Sequence, residues 1–190
     1  MSTCYLFSIN AQQLFQKKYL MQDGTVAQNI QKLNLSNDCY SLITNNEYKL
    51  TLSRIDDLGN LVWARDIGRD SMRNIPVSLV VLNNDDVVVG MFWDDGAFGS
   101  IGQNSILKFD QNGNNIFIKR YTDQIPNGRC LLNQIIKDGS GFTAIVMPSN
   151  SSPFNSRIIK MDAGGNRLNS ISIGSHYLKI MKSANNYYYL

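Results

Sequence analysis

The sequence predicts an all-β fold and, within that class, a β-propeller: four repeats of about 50 residues, each a four-stranded blade, in a single domain spanning residues 1–190. Three observations carry this. Short runs of alternating apolar and polar residues recur along the chain, which is the period of a half-buried strand. The composition is poor in helix formers: charged residues are only 17%, Glu47 is the single glutamate, and Asn and Ser are abundant. That balance favours strands and polar turns. Finally, one hairpin is written four times, at residues 6–17, 52–66, 106–121 and 158–170.

Each repeat holds four strand-like pieces, a to d. Strand a alternates around a basic residue and closes on Asp, as in Leu52-Ser53-Arg54-Ile55-Asp56, Leu107-Lys108-Phe109-Asp110 and Ile159-Lys160-Met161-Asp162. The opening copy, Phe7-Ser8-Ile9-Asn10, is a worn version. A polar turn follows in which Gly59, Gly113 and Gly165 stand where a short hairpin loop needs positive φ, and the leading Asp is placed to accept hydrogen bonds from the turn amides. The opening copy lacks this glycine and is shorter. Strand b carries an aromatic, Phe15, Trp63 or Phe117, followed two residues later by Lys17, Arg65 or Lys119; in the last copy Asn169 takes the aromatic slot.

Strands c and d form a second hairpin, at residues 30–43, 79–90, 133–146 and 178–190. Marked by the Asp or Asn that ends strand a, the repeats are spaced 46 (10 to 56), 54 (56 to 110) and 52 (110 to 162) residues apart. A β-sandwich of many hairpins is the rival architecture, but it would not need the repetition.

The string L-x-K-apolar-D-x-x-G-N-x-x-W/F, followed by a hairpin turning on N-N-D-D or K-D-G-S-G and then V-V-V-G, resembles the SBBP-type and delta-60-type propeller repeats of bacterial surface proteins and phage structural proteins. The resemblance covers nearly the whole chain. It is a likeness of fold, because those repeats share no catalytic residues, and it implies a scaffold that binds or assembles.

A blade boundary between b and c lets the N-terminal strands at residues 4–9 and 14–18 complete the sheet begun by residues 178–190, closing a four-bladed ring and removing two exposed edges. The same count fits half of a larger ring shared between chains, so a homo-oligomer stays open. In either ring the a-b and c-d turns lie at one end of the blades and the b-c and d-a connections at the other. The second set, at residues 21–28, 68–76, 92–104, 122–129 and 148–156, is long, which makes that end the expected working face. Its longest member, residues 92–104, combines Phe92, Trp93 and Phe98 with Asp94 and Asp95. Aromatics beside carboxylates suit a sugar ring or a partner protein. The same Phe92 and Trp93 suit, better still, a cap that packs inward over the blade end.

Other chemistries find little footing. The net charge of +3 is spread along the chain, without the clustered Lys and Arg of a nucleic-acid footprint. Cys4, Cys39 and Cys130 are far apart and odd in number, which predicts buried free thiols rather than a disulfide framework or zinc site. His176 is the one histidine, so a zinc or iron centre is not expected. The turn at Asp110-Gln111-Asn112-Gly113-Asn114 has calcium-loop spacing but lacks the glutamate at the twelfth position. Asp56-Asp57, Asp85-Asp86 and Asp94-Asp95 are adjacent turn residues, not carboxylates facing across a cleft. No cofactor is expected and the chain is not expected to be an enzyme. The N-terminus has no basic region and no apolar run long enough for a signal peptide or a membrane span, so synthesis in the cytoplasm is expected.

These readings converge on a non-catalytic propeller for binding or assembly, with protein subunits or a surface glycan as partners. The expected setting is a virion, such as a phage tail or fibre, or another extracellular particle; a carbohydrate-binding lectin and an intracellular protein-interaction propeller are the alternatives.

Overall fold

The structure, a computed structural model, describes residues 25–33, 35–36, 38–45, 49–68, 73–94, 103–121, 130–148, 156–173, 180–183 and 186–189. Every regular element among them is a strand. The first unit is an antiparallel meander of β1 (Thr25–Lys32), β2 (Cys39–Asn45), β3 (Lys49–Ile55) and β4 (Leu61–Asp66). The second runs β5 (Arg73–Val81), β6 (Val87–Asp94), β7 (Gln103–Phe109) and β8 (Asn115–Tyr121), and the third β9 (Cys130–Asp138), β10 (Gly141–Pro148), β11 (Ser156–Met161) and β12 (Arg167–Ile173). The hairpin β13 (Ile180–Ser183) and β14 (Asn186–Tyr189) forms a separate two-stranded sheet. Each four-stranded sheet therefore runs c, d, a, b, and the unit boundary falls between b and c. The strands expected at residues 4–9 and 14–18, and His176, lie outside the described residues.

Alternation along the strands gives each sheet two faces, and the faces of successive units pack together. Leu33, Tyr40, Leu50 and Leu52 of the first unit meet Val87, Val89, Met91, Trp93, Leu107 and Phe109 of the second in one buried layer. The opposite face of the second unit, with Val88 and Ile106, meets Leu132, Ile135, Phe142 and Ala144 of the third in another. The approach is closest at Gly90, where a Cβ would lie 2.7 Å from both Ile135 Cδ1 and Leu132 Cδ2. Burying both faces of a four-stranded sheet is what makes neighbouring units necessary to one another.

The units share irregularities as well as strands. In each four-stranded sheet the last strand bulges right after the a-b turn, leaving Val62, Ile116 and Leu168 without a register partner on β3, β7 and β11. The first strand bulges too, at Gln28, Val77 and Asn133. A bulge strengthens local twist and disturbs the ladder an incoming strand would need, so those on β4, β8 and β12 blunt the exposed edges.

Strands extend further than their sequence patterns indicate, which shortens the long connections. Residues 25–28 belong to β1, residues 73–76 to β5, residues 92–94 to β6 and residues 103–104 to β7. The pattern missed them because Pro76 and polar residues such as Asn74, Gln103 and Asn104 break the alternation, while ladder bonding to the neighbouring strands continues past them.

The turn glycines have a second reason to be glycine. Gly113 has φ +78° and its missing Cβ would sit 3.0 Å from the Trp63 ring of the preceding unit; Gly165 has φ +72° and would meet Phe117 at 2.7 Å. Gly139 in a c-d turn also has positive φ, at +61°, but open space around it. Gly139→Ala is therefore expected to cost only backbone strain, about 1 kcal/mol. Gly113→Ala adds overlap with the indole and is expected to cost about 1–3 kcal/mol more, read as a lower urea midpoint with unchanged slope.

Candidate functional site

The repeated residues turn out to join one unit to the next. In the first unit, Arg54 of β3 forms an ion pair with Asp38 at 2.7 Å and donates to the Gln111 carbonyl of the second unit's a-b turn at 2.9 Å. Trp63 donates its indole N–H to the same carbonyl at 3.0 Å. In the second unit, Lys108 pairs with Asp86 at 2.9 Å and donates to the Ala163 carbonyl of the third unit at 3.2 Å. Lys119 of β8 reaches Asn166, and the Tyr121 hydroxyl donates to the Gly165 carbonyl, both at 2.7 Å. Lys160 continues the series with Asp138, at 3.1 Å. Asp138 precedes its c-d turn whereas Asp38 and Asp86 follow theirs, yet the carboxylate meets the same cation.

The c-d turn of the second unit is held from outside. Asp85 adopts φ 60°, unusual for a residue with a side chain. Its carboxylate accepts from the Leu35 amide at 3.1 Å, and its carbonyl accepts from the Tyr40 hydroxyl at 2.7 Å, both from the first unit. Burial raises the Tyr40 pKa well above the phenol range, and burial followed by the Asp162 charge pushes Tyr121 up to about 12, so both stay neutral donors.

The Asp of each a-b turn is spent on the turn. Asp110 accepts from the Asn112 and Asn114 amides, each at 2.8 Å, and from the Asn114 side chain at 2.9 Å; Asp56 and Asp162 repeat the pattern with Asn60 and Asn166. This is hairpin chemistry, with the carboxylate oxygens already engaged by N–H donors. The lone histidine aside, Cys39 is a half-buried free thiol, its pKa raised by burial and then by Asp38; the side chains of Cys4 and Cys130 lie outside the described residues.

What is not repeated lies at the other end of the sheets. Phe92, Trp93 and Asp94 are the last residues of β6, not part of a loop; Asp95 and Phe98 lie outside the described residues, as does the side chain of Asp94. Strand alternation sends Phe92 and Trp93 to opposite faces. Phe92 is half-buried, and Trp93, 4% exposed, belongs to the layer between the first and second units. Trp93 thus offers no open face for stacking. Instead the exposed Arg120 of β8 lies over it, its guanidinium carbon 5.4 Å from the ring centroid.

The ladder brings further polar groups beside this pair. Gln103 is opposite Trp93 on β7, and Ser105 is opposite both Met91 and Arg120. To reach Trp93 from β8, the Arg120 side chain crosses β7 above these two residues. Ser105 is fully buried, and among the described residues neither Ser105 Oγ nor Gln103 Oε1 has a hydrogen-bond partner. Sequence reasoning had no route to Arg120, Ser105 and Gln103, because register alone brings them to Trp93. The only trace was their shared position at the end of a b strand and the start of an a strand.

No family model matches the sequence, and comparison with curated proteins finds no match. Among solved structures, a protein of unknown function from Bacteroides caccae is similar over 83% of this chain and 50% of that one, with a TM-score of 0.51 at 12% identity. The likeness is one of fold, and this chain spans half the length of that structure.

Hydrogen bonding also sets a pH response. At Asp162 the Asn166 amide and side chain lower the carboxyl pKa; at Asp110 burial raises it, but hydrogen bonds from Asn114, Asn112 and Gly113 prevail and lower it. A folded pKa below the ordinary 3.8 contributes stability that is present above that value and lost as pH falls through the folded one. The Asp110→Asn, Asp162→Asn double variant is expected to melt lower than wild type at neutral pH. It should also lose less on acidification from about pH 5 to about pH 2, so that the two melting curves converge in acid.

Proposed function

We propose that the chain is a β-propeller of four units whose work is binding or assembly rather than catalysis, and that its contact face is the end carrying the b-c and d-a connections. The observation that carries this is how the repeated residues are used. Arg54, Lys108, Trp63, Phe117 and the turn glycines are occupied in joining units, and the turn Asp residues in holding their own turns, which leaves the non-repeated end as the region free of that duty.

Ring closure through the N-terminal strands is supported by the outward faces of the end units. Ile145 of the third unit points away from the second, yet is 0% exposed. Ser41 and Ser53, bonded to each other at 2.8 Å on the face of the first unit turned away from the second, are each 4% exposed. Gly59, the first unit's counterpart of Gly113, is buried as well. The repeat offers Phe15 as the ring for that glycine.

The setting we favour is a virion, such as a phage tail or fibre, or another extracellular particle that contacts a host surface or neighbouring subunits. It rests on the resemblance to SBBP-type and delta-60-type repeats. A second reading, a carbohydrate-binding lectin, is favoured by the Arg120 and Trp93 pair with its adjacent polar groups.

Mass spectrometry of particles purified from the native source is expected to find the chain among their structural proteins; recovery only from the soluble cell fraction overturns the particle reading. For the ring, Phe15→Ala and Gly59→Ala are expected to be non-additive in a double-mutant cycle, as Trp63→Ala and Gly113→Ala should be. Strict additivity at residues 15 and 59 removes the closure.

A further inference from the structure

We propose that Arg120, Ser105 and Gln103 form a binding site for a carboxylate-bearing sugar, with Trp93 as the platform on which the arginine rests in the ligand-free chain and from which it swings to meet the ligand. The inference deepens the binding reading above and rests on it.

The chemistry follows from the three groups. A guanidinium stacked on an indole keeps its N–H edge free, and that fork matches a carboxylate with two parallel hydrogen bonds. Arg120 has the stacking partner but no carboxylate partner among the described residues, whereas Arg54, Lys108 and Lys160 are all ion-paired. Ser105 supplies a hydroxyl and Gln103 a carbonyl oxygen, both unpartnered and both under the Arg120 side chain. Buried polar atoms without partners carry a desolvation cost, which a ligand bonding them would relieve.

The combination selects among anions. Gln103 Oε1 only accepts, so a sulfate would face it with another acceptor. A ligand that presents a carboxylate to Arg120 and a hydroxyl to Gln103 and Ser105 satisfies all three, and an acidic sugar carries both groups on one ring. Arg120 is exposed and spans β7 from the edge, so rotation of its own side chain uncovers the two oxygens without moving the sheet.

The test uses the full chain carrying Trp63→Phe, an aromatic that the same slot holds at Phe117, so that Trp93 is the one indole left. This protein is titrated with glucuronate, N-acetylneuraminate and glucose, following Trp93 fluorescence and saturation-transfer NMR. At least one acidic sugar is expected to perturb the fluorescence as Arg120 leaves the ring, with glucose about tenfold weaker or silent. Arg120→Ala is expected to lower affinity by about tenfold or more and Ser105→Ala by several-fold. Lys119→Ala, on the opposite face of β8, removes the bond to Asn166 but should leave sugar affinity unchanged. Binding of neither acidic sugar, equal binding of glucose, or an unchanged affinity in Arg120→Ala overturns the site. Wild-type and Arg120→Ala chains that attach equally to particles or host surface leave the binding reading standing and remove this site alone.

Discussion

A ring in one unit pressed against the absence of a side chain in the next is the contact on which the arrangement turns. Trp63 covers Gly113 and Phe117 covers Gly165. The turn must pass through left-handed backbone to reverse the chain in so few residues, and it must be flat enough to accept a neighbour's aromatic. Glycine alone meets both demands. The Asp at the head of the turn then fixes the loop from within, through bonds to amides two and four residues on. A local hairpin rule and an interface rule thus fall on the same five residues, which explains why this string is the most faithfully repeated in the chain.

The basic residue of strand a completes the joint by electrostatics. Lys108 and Asp86 are nearly excluded from water, and the pair is bonded further to the Ala163 carbonyl. Removing two charges from water offsets most of their attraction, so such a pair adds little net stability compared with apolar residues of the same shape. Losing one partner is a different matter, costing about 3–5 kcal/mol because a charge is left buried alone. The pair lies within the second unit, so a neighbour docked with the wrong offset would leave it intact and lose the bond from Lys108 to the Ala163 carbonyl, which is the part of the joint that senses offset. Asp85, held in left-handed backbone by Leu35 and Tyr40 across the boundary between the first and second units, ties a unit to its neighbour in the same way.

Much of this was legible because it is repeated. Strand positions, the four-strand unit, the boundary between b and c and the positive φ of Gly59, Gly113 and Gly165 all follow from comparing copies. Single residues outside the repeat were read less well. By pattern alone Trp93 falls in a loop, since Phe92 and Trp93 together break the alternation and Asp94 and Asp95 look like turn residues. Backbone ladder bonds to Gln103 and Asn74 nevertheless carry β6 through them, and alternation then buries the indole. The site beside it was invisible for a related reason. Arg120, Ser105 and Trp93 come from three strands, and their proximity depends on a register that a bulge at Ile116 shifts by one residue. A pattern of apolar and polar positions says which face a residue takes, but not which residue it meets.

The aromatic and the glycine of each joint belong to different sides of a unit, so every unit of this kind carries one half of the fastening on either flank. A gene segment copied in tandem would deliver both halves at once, and the new neighbour would fit without further substitution. Asn169 interrupts this. It occupies the aromatic slot on the third unit's far flank, where no ring remains to demand a glycine opposite. Drift on one side of a boundary releases the other, and the two then age together. The loss marks the third unit's far flank as distinct from the others, giving otherwise exchangeable units an order.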